Sequence, residues 1–242
     1  MRKTLLCMAS ASFLIAATSY QSSACVDIAL VLAVDGSGSI SDEEYAFQKY
    51  AIAGAFRDRD VLSALKSANT VAVSAVFWGD GEFAAQRLDW FIISGGKGAE
   101  PFARATENNQ RIVFGNTDIG SGIWSALDLL SDPRLCATRS VVNVSGDGKE
   151  TTAPKRRQVA SLAQARLRAE HMGATVNALV IADDMGDLAS YYTKRVIVGA
   201  NAFVMDVRTY ADYSTAIKKK LIRELSSQTV ATLLSGKNRP PD

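Results

Sequence analysis

Asp35, Ser37 and Ser39 stand two residues apart, with Gly36 and Gly38 between them, directly after the apolar run 28–34. A carboxylate and two hydroxyls on one loop are hard oxygen donors, the ligand type that magnesium, manganese and calcium prefer. The glycines let the backbone turn tightly there. Two later stretches offer matching chemistry, Gly115-Asn116-Thr117-Asp118-Ile119-Gly120 and Ser145-Gly146-Asp147-Gly148. Together Asp35, Ser37, Ser39, Thr117 and Asp147 combine two carboxylates with three neutral hydroxyls. Two carboxylates only just balance a divalent cation. An ion held this way stays electrophilic and keeps an exchangeable position, which a partner's carboxylate can fill. That serves binding better than a closed structural site would.

The intervening chain must bring these loops together. The run 28–34, rich in Val, Leu and Ile, reads as a strand buried on both faces. Ser41-Asp42-Glu43-Glu44 opens a helix to about residue 57, followed by a short helix over 61–66. Strands are expected over 70–78 and 86–93, and the short link through Gly79-Asp80-Gly81 requires that they pair antiparallel. Helices follow over 101–109 and 121–130, then a buried strand over 140–144. A long helix over 154–172, basic on its exposed face, stops at Gly173. A strand over 175–181, a short helix over 187–195, a strand over 202–207 and a helix over 210–226 complete the order. The expected class is α/β: a doubly wound, mostly parallel sheet with one antiparallel edge strand and helices on both faces. Such sheets bind ligands at the carboxyl ends of their strands, where Asp35 and Asp147 both fall.

Residues 1–24 have the pattern of a secretory signal peptide: Arg2 and Lys3, an apolar stretch over 4–17, and small residues at Ser22-Ser23-Ala24. The apolar stretch is short for a membrane span. A periplasmic or secreted location follows. Removing Arg2 and Lys3 takes the net charge of +2 to near neutral, which gives no general electrostatic reason to expect nucleic acid or an anionic membrane. Cys7 leaves with the signal. Cys25 and Cys136 remain, an even pair of the kind exported proteins oxidise to a disulfide, and each precedes a buried strand. Acylation of Cys25 beside a buried Cys136 thiol is the alternative. The globular unit is placed at 25–228 and a disordered tail at 229–242, where Gly236, Pro240 and Pro241 fall.

Asp35-Gly36-Ser37-Gly38-Ser39 resembles the first metal loop of von Willebrand factor A domains, Asp-x-Ser-x-Ser. Thr117-Asp118-Ile119-Gly120 is similar to their second loop, and Asp147-Gly148 to their third. The resemblance covers about 26–226 and extends to a bacterial exported subfamily of unknown function, through 33–39, 144–148 and Tyr191-Tyr192. It implies a metal-ion-dependent adhesion site. The two serines and the threonine would contact the ion, the aspartates would hold it directly or through water, and an acidic residue of a protein partner would complete the shell. Magnesium is the first expectation, with manganese or calcium as alternatives. The implied sheet order sets the first strand beside the one near Ser140, which supports the Cys25–Cys136 pairing. The third loop departs from many relatives in carrying Gly146 where they have threonine.

Other signals carry less. Gly36-Ser37-Gly38-Ser39 could cradle a phosphate, but the dinucleotide fingerprint wants glycine at position 41, where Ser41 stands, and no P-loop ending follows. His171 is the single histidine, far in sequence from Ser37 and Ser39, and reads as a helix-end residue rather than a catalytic base. Lys155-Arg156-Arg157 and Lys218-Lys219-Lys220 read as solvated helix faces. Trp78, Trp90 and Trp124 read as core or rim residues, and Tyr191-Tyr192 has no assigned role. The expectation is a binding protein rather than an enzyme. A metal-assisted hydrolase using the same loops, or an envelope module with a vestigial site, stands as the rival.

Overall fold

The computed structural model describes residues 25–151, 158–182 and 186–236. The expected signal peptide, the Lys155-Arg156-Arg157 run and the last residues of the tail lie outside them. The chain runs β1 (Val26–Asp35), α1 (Asp42–Ala55), α2 (Arg59–Ser67), β2 (Thr70–Trp78), β3 (Gln86–Arg87), β4 (Phe91–Ser94), α3 (Ala99–Asn108) and α4 (Ile119–Leu130). It continues through β5 (Ala137–Gly146), α5 (Leu162–His171), β6 (Thr175–Ile181), α6 (Leu188–Arg195), β7 (Val204–Val207) and α7 (Tyr210–Gly236).

The strands form one sheet in the order β3-β2-β1-β5-β6-β7, with β4 also paired to β2. All pairings are parallel except those of β3 and β4 with β2. β1 lies at the centre, and its side chains alternate between two cores. Ile28, Leu30, Leu32 and Val34 pack under α1 and α7, whereas Ala29, Val31 and Ala33 pack under α4. Large residues on one face and small ones on the other let α4 sit close to the sheet. Gly122 on α4 shows how close, since a Cβ there would lie 2.6 Å from the Trp78 ring.

Several element boundaries differ from the sequence reading. The strand expected over 86–93 is split into β3 and β4. Val76 pairs with Arg87 but Val73 pairs with Phe91, so three steps along β2 match four along the edge. The extra residue makes a bulge, and the Ser74 hydroxyl donates to the Leu88 carbonyl beside it (2.8 Å). α5 begins at Leu162, where Ser161 and Gln164 form a reciprocal capping box; 158–161 are not helical, and 154–157 of the expected helix lie outside the described residues. α7 runs to Gly236, past the expected end at Ser226 and into the expected tail; no glycine or proline interrupts 227–235. Lys220, read as solvated, is buried, whereas Lys218 reaches Asp58 (2.9 Å). Among the described residues no helix is long and apolar enough to cross a membrane.

Cys25 and Cys136 form a disulfide, Cα to Cα 4.5 Å apart, next to the paired residues Val26 and Ala137. The bond takes up the sulfur that acylation of Cys25 would need. It closes a loop 111 residues apart in sequence. Reduction, or Cys136→Ser, is expected to cost about 2–4 kcal/mol, read as a lower midpoint in urea unfolding.

Candidate metal centre

β1, β5 and the entry to α4 deliver the five expected residues to one end of the sheet. β1 ends at Asp35, whose register partners are Trp78 on β2 and, one residue earlier, Ser145 on β5. Three backbone contacts fix the loops to one another. Gly36 N–H donates to Trp78 O (2.7 Å), Gly38 N–H to Gly115 O (2.6 Å), and Thr151 N–H to Thr117 O (2.9 Å). Ser41 and Glu44 cap the start of α1 reciprocally, and the Asp118 carboxylate caps α4 by accepting from Ser121 N–H (3.2 Å) and its hydroxyl (2.8 Å).

The side chains form one connected cluster. Asp35 Oδ1 accepts from Ser37 N–H (2.8 Å). The Ser37 hydroxyl lies 3.2 Å from that of Ser39 and 3.3 Å from that of Thr117. The Ser39 hydroxyl donates to Asp147 Oδ1 (2.8 Å). Asp35, Ser37 and Thr117 are buried, while Ser39 is exposed and Asp147 partly so, which leaves one side open.

Electrostatics show what the cluster lacks. Asp35 Oδ2 is buried with no hydrogen-bond partner. Burial, with the neighbouring Asp147 charge second, pushes the Asp35 carboxyl up to about 8. Burial also raises Asp147, against the hydrogen bond from Ser39. Two crowded carboxylates, one with an orphaned oxygen, amid three hydroxyls make a donor set that fits a hard divalent cation. Among the described residues no group of three or more His, Cys, Asp and Glu side chains could hold a metal, so the fit rests on this hydroxyl-rich set.

Three supports escaped the sequence reading. Tyr192 is fully buried, and its hydroxyl donates to Gly148 O (3.0 Å); Tyr191 accepts from Glu150 N–H (3.3 Å). The tyrosine pair therefore holds the third loop from below. Gly146 follows from it, because a Cβ there would lie 2.7 Å from the Tyr192 hydroxyl and 3.0 Å from Asp35 Oδ2. Gly146→Ala should destabilise the fold by about 1–3 kcal/mol, checked by thermal melting; an unchanged melting temperature would contradict this packing.

Arg111 is the third. Its Nη2 donates to the carbonyls of Gly36 (3.1 Å), Ser37 (2.9 Å) and Ile40 (2.8 Å). Nε donates to Val113 O (3.3 Å) and Nη1 to Asp42 (2.7 Å). The guanidinium also contacts the rings of Tyr45 and Phe114, 5.2 and 4.8 Å from their centroids. A lone arginine in the apolar stretch leading to Thr117 was the available signal. Phe114 in turn meets Phe83, ring centres 5.9 Å apart, and both rings are partly exposed.

Among curated proteins none matches the chain in sequence. Solved structures do match in fold. The von Willebrand factor domain of the type V pili tip protein Mfa5 from Porphyromonas gingivalis aligns with a TM-score of 0.51 at 13% identity, covering 90% of this chain and 99% of that one. The pilus adhesin SpaC from Lactobacillus rhamnosus GG, in its open conformation, aligns at 0.57 and 13% identity, over 82% of this chain. Proximal thread matrix protein 1 of the mussel byssus, with a zinc-occupied metal-ion-dependent adhesion site, aligns at 0.52 and 18% identity, also over 82%. The chain spans 30% of the adhesin and 47% of the byssus protein. The fold is thus that of von Willebrand factor A domains. A family profile covers residues 24–229, and the chain belongs to that family, described as "Protein of unknown function (DUF1194)".

Proposed function

We propose that this chain is an exported, adhesion-type binding domain, not an enzyme. In this reading Asp35, Ser37, Ser39, Thr117 and Asp147 hold a divalent cation, magnesium first, and an acidic side chain of a partner protein completes its shell. The observation that carries the reading is the buried, unpartnered Asp35 Oδ2 amid hard oxygen donors. Bound there, the ion would supply an electrophilic position open to a carboxylate. The chain's own residues supply the rest. Asp35 and Asp147 offset the ion's charge, the hydroxyls add neutral ligands, and the exposed side at Ser39 admits the partner. Phe83 and Phe114 offer apolar surface beside the loop that carries Thr117.

Two comparisons support the reading: SpaC is a pilus adhesin, and the byssus protein carries zinc in a site of this type. The disulfide fits an oxidising compartment, periplasmic or secreted. Calorimetry of the purified chain with magnesium, manganese and calcium tests the ion. Saturable binding that Thr117→Ala weakens is expected, and no binding of any of the three would end the proposal. Capture of an envelope protein in magnesium, lost in chelator, tests the partner. Turnover of phosphoester or peptide substrates, lost in Asp147→Ala, would favour a hydrolase instead.

A further inference from the structure

The backbone of the first metal loop is as constrained as its side chains. Carbonyl oxygens are hard donors, and a loop that coordinates through its hydroxyls has carbonyls close by to offer. Here four of them are engaged elsewhere. The Asp35 carbonyl accepts from Gln48 Nε2 (3.4 Å), and those of Gly36, Ser37 and Ile40 converge on one nitrogen of Arg111. The Ser37 carbonyl also accepts from Ile40 N–H (3.1 Å). The Arg111 side chain is only 10% exposed, lies against the Tyr45 and Phe114 rings, and has Asp42 on its outer nitrogen. The guanidinium is therefore fixed, and so are the three carbonyls that point at it.

This bears on which ion the site takes. Calcium gathers six to eight oxygens and readily accepts backbone carbonyls, whereas magnesium demands a near-octahedral shell and keeps water in it. We propose that Arg111 sets the ion selectivity of this site by withholding the Gly36, Ser37 and Ile40 carbonyls from the coordination shell, which shifts the shell toward side-chain oxygens, water and a partner's carboxylate. That composition favours magnesium or manganese over calcium. Arg111 acts through the loop and is a positioning residue. The planar fork matters as much as the charge, because Nε on the Val113 carbonyl and Nη1 on Asp42 hold Nη2 against the three carbonyls, and a lysine ammonium has no second and third nitrogen to be anchored in that way. The inference rests on the metal-binding reading above.

The test is the ratio of magnesium to calcium dissociation constants, measured by calorimetry on the purified chain. Arg111→Gln should move that ratio at least tenfold toward calcium, and Arg111→Lys should move it in the same direction. Melting curves establish that each variant is folded, and if Arg111→Gln is not, Arg111→Lys carries the test. A purely structural role would weaken both ions alike and leave the ratio unchanged, which overturns the proposal. Restoration of the original ratio by Arg111→Lys would assign the effect to charge alone and overturn it too. Failure of the unsubstituted chain to bind any ion would remove the metal reading itself. Binding with an unchanged ratio in the variants removes only the role of Arg111.

Discussion

Asp35→Asn is expected to abolish divalent-ion binding while making the ion-free chain more stable. Asparagine keeps an oxygen for the Ser37 N–H, so the loop retains its turn. What disappears is a buried carboxyl that must either carry an uncompensated charge beside Asp147 or take up a proton to fold, and whose second oxygen has no partner. Removing this unsatisfied buried carboxyl should recover about 1–3 kcal/mol in chelator. The loss of ion affinity should exceed the ~10–100-fold typical of outer-shell partners, because this side chain would touch the ion. Thermal melting with chelator and with magnesium reads both effects. The variant should melt above the unsubstituted chain in chelator and gain nothing from magnesium. A variant that melts lower in chelator, or that is stabilised by magnesium as before, would show that Asp35 is not a strained ligand awaiting a cation.

The second large effect lies under α7. Glu224 is buried and accepts from Lys220 (2.7 Å), Asn143 (2.7 Å) and Asn177 (3.0 Å), so one carboxylate ties α7 to β5 and β6. Asn177 also accepts from Phe203 N–H (3.1 Å), and Arg139 donates to the Glu224 carbonyl. Glu224→Ala would leave the Lys220 ammonium and two amides buried without their acceptor, at a cost of about 3–5 kcal/mol. Burial holds Lys220 down to about 8, although Glu224 pulls it upward. A lysine depressed on folding is a liability while both states are protonated. Stability recovers as pH rises through about 8 toward the ordinary 10.5. Without Glu224 the depression deepens, so the deficit of the variant should be larger at pH 7 than at pH 10. Urea unfolding at both values decides it, and a deficit that stays equal at the two would sink the electrostatic explanation.

These two sites differ in how far the sequence revealed them. Asp35, Ser37, Ser39, Thr117 and Asp147 were legible because strand-end loops punctuate the chain with glycine and oxygen-bearing residues, and the strand order brings such ends together. β1, β2 and β6 were legible as long apolar runs. Lys220 was misread because three consecutive lysines look like a solvated face. A helix turns 100° per residue, so the third member faces inward with Ile217, Leu221 and Glu224. Arg111 and Tyr192 were hidden for a different reason. Each meets residues about 40 or more positions away, and although a lone arginine ahead of Ile112-Val113-Phe114 is visible in the chain, nothing local says which distant groups it meets. The β3–β4 break depends on a single extra residue in register, which no propensity records.

β1 has a disulfide at one end and the proposed partner-binding mouth at the other. Tension applied between those ends would run along the strand axis. It would load the parallel hydrogen bonds to β2 and β5 together, in shear, instead of peeling them one at a time. The covalent link at Cys136 would pass part of that load directly to β5. A domain pulled in this direction resists rupture across the whole centre of its sheet, a mechanical property that equilibrium stability does not measure.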